Sequence, residues 1–355
     1  MRYVLAAAIA FAAAQLPAAS PAAPPAAAAP VYRLSSELAL PGKAPGWDYV
    51  TYEAKRGYLF LGRRKAGVTV VDSRTNKVVT TIANSVGANV ALPVPELDRG
   101  YTANGDGSTT VFQLSTLRTL ARVHLGEAAD AVFFDPATRQ LVFTFGDTKE
   151  LIFLDPKTNA VSARLPMAAE ELEGVAMAGD GTLWVNERDI TRIAHVDNRT
   201  HKVIAEYDLP GCTLPTGLAI DTANKRLFVG CKSEKPVLAV VDATNGRVVA
   251  TVEIGRGNDG VAYDPATHRI FTANGIDGNI VVVDQLDPDS YKFASAFTTR
   301  PIARTLAYDP ATRRIFTMTA QGMVDPAKER NLRAGAFYPN SYFDDSFSLL
   351  TYGER

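Results

Sequence analysis

A unit of about 42 residues recurs along this 355-residue chain, and that repetition leaves few folds open to it. The clearest copy is GVAYDPATHRIFTANGIDGNIVVVD, residues 260 to 284. It holds an apolar strand around Val261–Tyr263, a tight turn at Asp264-Pro-Ala-Thr, and a second strand from Arg269 to Ala273. A Gly- and Asp-rich turn then leads to a third strand, Ile280–Val283, closed by Asp284. Aligning copies on the residue that ends the third strand gives Asp72, Leu114, Asp155, Asp197, Asp242 and Asp284, with steps of 42, 41, 42, 45 and 42 residues. Between these points run short β-branched and aromatic stretches broken by Gly, Asp, Asn and Pro, with no sustained 3.6-residue period. That is the pattern of strands and turns, not of helices.

Four strands in about 42 residues make one blade of a propeller. Seven inner strands are expected near Tyr49, Val90, Ala131, Gly174, Gly217, Gly260 and Thr305. The fold class is therefore all-β: a seven-bladed β-propeller with four antiparallel strands per blade. The last blade lacks a fourth strand before the chain ends. Residues 31–40 (VYRLSSELAL) alternate suitably to supply it, beside a third strand at Phe347–Tyr352. Pairing the two chain ends would close the ring and remove an open edge.

The turns repeat nearly verbatim. Asp135, Asp264 and Asp309 each start Asp-Pro-Ala-Thr, with Asp221-Thr-Ala-Asn a variant; Asp72, Asp155, Asp197 and Asp242 open the later turn. Asp accepts from backbone N–H groups just ahead of it and Pro presets φ, so these acids read as turn caps rather than as a metal site. An insertion of about 25 residues, 320–344, breaks the repeat in the last blade. It carries Phe337, Tyr338, Tyr342 and Phe343, which suggests a loop that packs onto something and, in a binding protein, covers the site as a lid.

The register also says which residues gather at one end of the central channel. Just before the inner strands stand Asp48, Asn89, Asp130, Glu173, Thr216, Asp259 and Arg304, all polar in a chain that is 46% hydrophobic. Two readings stay open: a water-filled channel mouth that needs polar groups, or a pocket for a ligand or cation. The ends of second strands add Arg63, Asn104, Glu187, Cys231 and Asn274 to the same face. Cys212 and Cys231 are the only cysteines, and the repeat register brings them close enough to form a disulfide. His124, His195, His201 and His268 share no metal-ligand spacing and none is placed to serve a serine nucleophile. No cofactor is expected; a divalent cation at the channel mouth is the one alternative kept open.

Residues 1–30 differ in kind. Arg2, an apolar Ala-rich run from Val4 to Leu16, and an Ala/Pro tract to Pro30 read as a cleavable signal peptide and spacer, with an uncleaved anchor as the alternative. Without them the chain has 36 basic and 38 acidic residues, a balance of −2. That argues against nucleic acid as a partner, because phosphate contacts need a basic surplus. Export to the periplasm or beyond would also suit a disulfide.

The second strands Tyr101-Thr-Ala-Asn and Phe271-Thr-Ala-Asn resemble the Tyr-Val-Thr-Asn tetrapeptide of the YVTN family of β-propeller repeat proteins. Val68-Thr-Val-Val-Asp-Ser and Ile280-Val-Val-Val-Asp resemble its next strand, and Lys77-Val-Val-Thr-Thr-Ile and Arg247-Val-Val-Ala-Thr-Val its outer strand. The resemblance spans residues 31–355. Three units depart from it: Leu114 replaces the Asp, Phe145 replaces the Asn, and Gly179-Asp-Gly-Thr-Leu-Trp-Val is closer to NHL-type propellers. The resemblance implies a secreted, commonly periplasmic propeller and transfers no catalytic residue. The expected role is a binding or interaction scaffold of the cell envelope, its partner an envelope protein or a small ligand. The alternative is a metal-assisted lactone hydrolase or a polysaccharide lyase using Asp48, Asp130, Glu173 or Asp259.

Overall fold

A computed structural model of the chain describes residues 29–43, 45–146, 148–330 and 338–355. The N-terminal segment read as a signal peptide lies almost wholly outside them, as does Phe337. Seven four-stranded antiparallel sheets are arranged as blades. Their inner strands are Val50–Glu53, Ala88–Val94, Ala129–Asp135, Leu172–Met177, Pro215–Asp221, Asn258–Asp264 and Leu306–Asp309. Six blades take their four strands consecutively. The seventh is closed by Tyr32–Leu40, which pairs antiparallel with Phe347–Glu354 as the outermost strand. Apart from one 3-10 turn at Pro95–Leu97, no helix occurs among the described residues, and none is long and apolar enough to cross a membrane.

Second and third strands are the most deeply buried, because neighbouring blades cover both faces of each sheet. Phe60, Phe112, Phe143, Phe153, Phe228, Phe271 and Phe316 are fully enclosed between blades. Glycine is required where blades approach closest. A Cβ on Gly62 would stand 2.0 Å from the Asn89 carbonyl oxygen, and one on Gly230 would stand 1.8 Å from Asn258 Oδ1.

The recurrent aspartates are turn caps. Asp135, Asp264 and Asp309 each accept from the amide two residues on and from the Thr hydroxyl three residues on. Asp72, Asp155, Asp197 and Asp242 likewise accept from the amide two residues ahead. The first residue of several second strands also reaches the next blade. Arg99 donates to the Pro156 carbonyl, Gln140 to Asn198, Arg226 to Pro288, and Arg314 to Ser73 across the closing boundary. A long polar side chain, Arg or Gln, at one register position thus links blades at four boundaries.

The insertion contributes a small hairpin, Gly322–Met323 with Ser341–Tyr342. Tyr342 meets Trp47 edge-on, with ring centroids 5.1 Å apart.

Candidate functional site

Each inner strand of blades 2 to 6 begins with a β-bulge. In blade 2, Ala88 pairs with Asn104 and Val90 with Ala103, so Asn89 has no opposite residue. Asp130 and Asp259 are left out of register in the same way in blades 3 and 6. In blades 4 and 5 one extra residue is accommodated between Leu172 and Val175, and between Pro215 and Leu218. A bulge re-aims a side chain, and in blades 2, 3, 4 and 6 a polar residue at the bulge, Asn89, Asp130, Glu173 or Asp259, faces the channel mouth. In blades 1 and 7, Asp48 and Arg304 simply precede the strand.

The result is a cavity of about 1110 Å³ at the channel mouth. Asp48, Asn89, Asp130, Glu173, Asp259 and Arg304 line it. Thr216 does not: it is fully buried, its hydroxyl donating to the Leu214 carbonyl. The expected second-strand residues are also elsewhere. Arg63 turns away from the axis, donating to the carbonyls of Leu40 and Pro41, with its guanidinium over Phe347. Asn104 donates to Ser108 and Thr110, and Asn274 to Thr272 and Asn279. Glu187 is enclosed between blades, where its carboxylate oxygens lack well-aligned donors. Cys231 is buried too, in a disulfide with Cys212 inside the core beside blade 5.

Instead the cavity receives the residue after four of these, Arg64, Gly105, Arg188 and Lys232, together with Gly146 at the same position of blade 3. Successive side chains of a strand face opposite ways, so an offset of one exchanges the channel for the core. No alternation marks this in the sequence, because second strands are buried on both faces. Tyr49, Tyr338 and Tyr342 complete the wall.

Ion pairs run around the mouth. Lys232 Nζ donates to Asp259 Oδ1 at 2.6 Å, and Arg304 Nε to Asp259 Oδ2 at 2.6 Å. Arg304 Nη2 also reaches Asp48 Oδ1 at 3.2 Å; Arg64 bonds the other Asp48 oxygen at 2.5 Å and Asn89 Oδ1 at 2.7 Å. Asn89 in turn contacts Asp130 at 3.4 Å. Arg188 pairs with Glu173 at 3.1 Å and with Glu171 at 3.0 Å.

Burial and these neighbours separate the carboxylates electrostatically. Burial, then the charges of Asp48 and Glu173, push Asp130 well above the usual carboxyl range. Glu173 is pushed up to about 7 by burial, with Asp259 adding to the effect and Lys232 and Arg188 opposing it. Burial would raise Asp259 as well, but Lys232 and Arg304 outweigh it and hold that carboxyl low. Among the described residues no group of three or more His, Cys, Asp or Glu is arranged to hold a metal ion. His195 stacks on Trp184 and His201 lies against Phe153, both away from the mouth.

Fold and site together define a seven-bladed β-propeller with a charged cavity at one end of its channel. No family model and no curated protein matches the chain. Among solved structures it is similar to Kuenenia stuttgartiensis hydrazine synthase, with TM-score 0.69 and 13% identity over 78% of this chain and 94% of that one. It is also similar to a chain of the mitotic checkpoint complex, with TM-score 0.69 and 14% identity over 88% and 95% of the two chains. At such identities the likeness is one of fold, and fold does not carry activity.

Proposed function

We propose that this chain is an exported binding protein of the YVTN propeller type, holding a small ligand in the channel mouth. The observation that carries this is the cavity itself. Its volume is of the order of known ligand sites, roughly 300–1,000 Å³, and six of the seven blades contribute charged side chains to its wall. A rigid ring also suits a scaffold for protein interaction. The export reading rests on residues 1–30 and on the Cys212–Cys231 disulfide, which persists in an oxidising compartment. A thermal-shift screen of anionic, cationic and neutral small molecules tests the site. The expected hit raises the melting temperature of the native chain but not of Gly105→Trp, whose side chain would occupy the cavity. Hits that stabilise both equally, or no hits at all, would overturn the reading.

A second reading has one observation in its favour. Glu173 at about 7 stands near Asp259, which is held low. Opposed carboxyl pKa values are how acid–base pairs are built, which suits a hydrolase or lyase. Turnover of a lactone or uronate polymer that is lost in Glu173→Gln would favour it.

A further inference from the structure

The ion pairs at the channel mouth follow a rule that fails at one place. In blades 1 and 4 the inner-strand carboxylate is met by a cation from its own blade: Arg64 for Asp48 and Arg188 for Glu173. Asp259 is met from both sides, by Lys232 of blade 5 and Arg304 of blade 7. In blades 1, 4 and 5 the second-strand cation stands one residue past the buried end, at Arg64, Arg188 and Lys232. In blade 3 that position is Gly146, and in blade 2 it is Gly105. Asp130 consequently has no cation within ion-pair distance among the described residues; its one hydrogen-bond contact is the long one from Asn89.

Space for the absent cation exists. A Cβ on Gly146 would meet only the Glu170 carbonyl oxygen, at 3.4 Å, and one on Gly105 only the Gly87 oxygen, at 3.8 Å. Both glycines, with Ala128 and Ala129, form a low wall beside Asp130. The charged groups that act on Asp130 across the channel are Asp48, Glu173 and Asp259, opposed by Arg64. Three of the four are acids, so the field in this sector favours a positive charge.

We propose that the ligand is a small organic cation whose ammonium or guanidinium group docks against Asp130, over Gly105 and Gly146. This rests on the channel mouth being a ligand site. The ligand supplies the cation that blade 3 lacks, and Glu173 of the adjacent blade lies on its other side. A charge-assisted hydrogen bond in a recessed site gives it orientation as well as affinity. The rest of the ligand faces Tyr49, Tyr338 and Tyr342.

The test is isothermal titration with 1,4-diaminobutane, agmatine and spermidine, and with 1,4-butanediol as a neutral control. The native chain should bind at least one of the cations and not the diol. Asp130→Asn should weaken that binding at least tenfold while the melting temperature stays level or rises. Gly146→Arg, which places a guanidinium where blades 1 and 4 carry theirs, should abolish it. Should Gly146→Arg fail to fold, Asp130→Asn alone decides. Equal binding by the native chain and Asp130→Asn, or equal binding of the diol, would overturn the proposal. So would binding of no cation. An anionic or neutral compound that binds the native chain and not Gly105→Trp would then leave the binding reading standing without the cation; binding of nothing would remove both.

Discussion

Arg304 Nε donates to Asp259 Oδ2 at 2.6 Å across the boundary between blades 6 and 7, and its Nη2 reaches Asp48 of blade 1. One guanidinium thus joins three blades at the place where the ring closes. Burial of this group would lower its proton affinity, but the two carboxylates outweigh that and raise it well above the usual range.

Replacing Arg304 by Met should therefore destabilise the fold. Orphaning a buried charge costs about 3–5 kcal/mol. Here Asp259 keeps Lys232 and Asp48 keeps Arg64, so about 2 kcal/mol is expected. Asp259→Asn added to Arg304→Met should recover part of it, because one uncompensated charge is removed. Denaturant unfolding of the four-member cycle measures this; strictly additive losses would contradict the pairing.

Glu187 gives a pH signature. Burial, then the charges of Glu206 and Asp189, raise it to about 7, against Arg192 and a weak contribution from the Ala169 amide. A carboxyl raised in the folded state favours folding below its unfolded pKa of about 4.3. That contribution fades as pH climbs through about 7. Stability should decline between these limits, with Glu173 and Asp130 acting in the same direction. In Glu187→Gln the decline should be shallower and stability at pH 8 higher. Melting curves at pH 5, 6, 7 and 8 check both; unchanged slopes would show that Glu187 has found a partner.

The disulfide closes a loop with a sequence separation of 19. On the chain-entropy estimate, losing it costs about 3 kcal/mol. Cys212→Ser with Cys231→Ser should lower the melting temperature, and reductant should lower that of the native chain but not of the variant. Lys232 follows Cys231 directly, so the variant should also loosen the Lys232–Asp259 pair. Peptide mapping without reduction that finds two free thiols in exported protein would refute the bond.

Closure by the chain ends makes a fourth prediction. Tyr32–Leu40 covers the outer edge of Phe347–Glu354, and Tyr32 packs on Phe271 and Phe297 of blade 6. A chain starting at residue 42 should expose that edge and unfold with lower cooperativity. Size-exclusion chromatography should show association through the bared strand. A monomer as stable as the parent would mean the ring does not depend on this strand.

Blade number, strand order, ring closure and the turn-cap role of the aspartates were all readable beforehand, because each depends on local patterns that recur. Asp135, Asp264 and Asp309 could be understood by comparison with one another, without a structure. The channel-side wall was only half readable. The positions Asp48, Asn89, Asp130, Glu173, Asp259 and Arg304 stand at or just before the start of their inner strands, and the repeat register marks them. Arg64, Arg188 and Lys232 were missed by one residue each, at the ends of strands that show no alternation because both faces are covered.

Local sequence thus settles how each blade is built, since hydrogen-bonded hairpins and their caps depend on residues a few positions apart. Direction toward or away from the channel is a different matter. Bulges at Asn89, Asp130 and Asp259 arise from how adjacent strands and blades meet, and those contacts join residues tens to hundreds of positions apart. The Arg304–Asp48 pair spans 256 positions. The repeating unit announces a propeller by itself, whereas the charge pattern at its mouth, including the position left empty of a cation at Gly146, exists only once seven copies face one another around an axis.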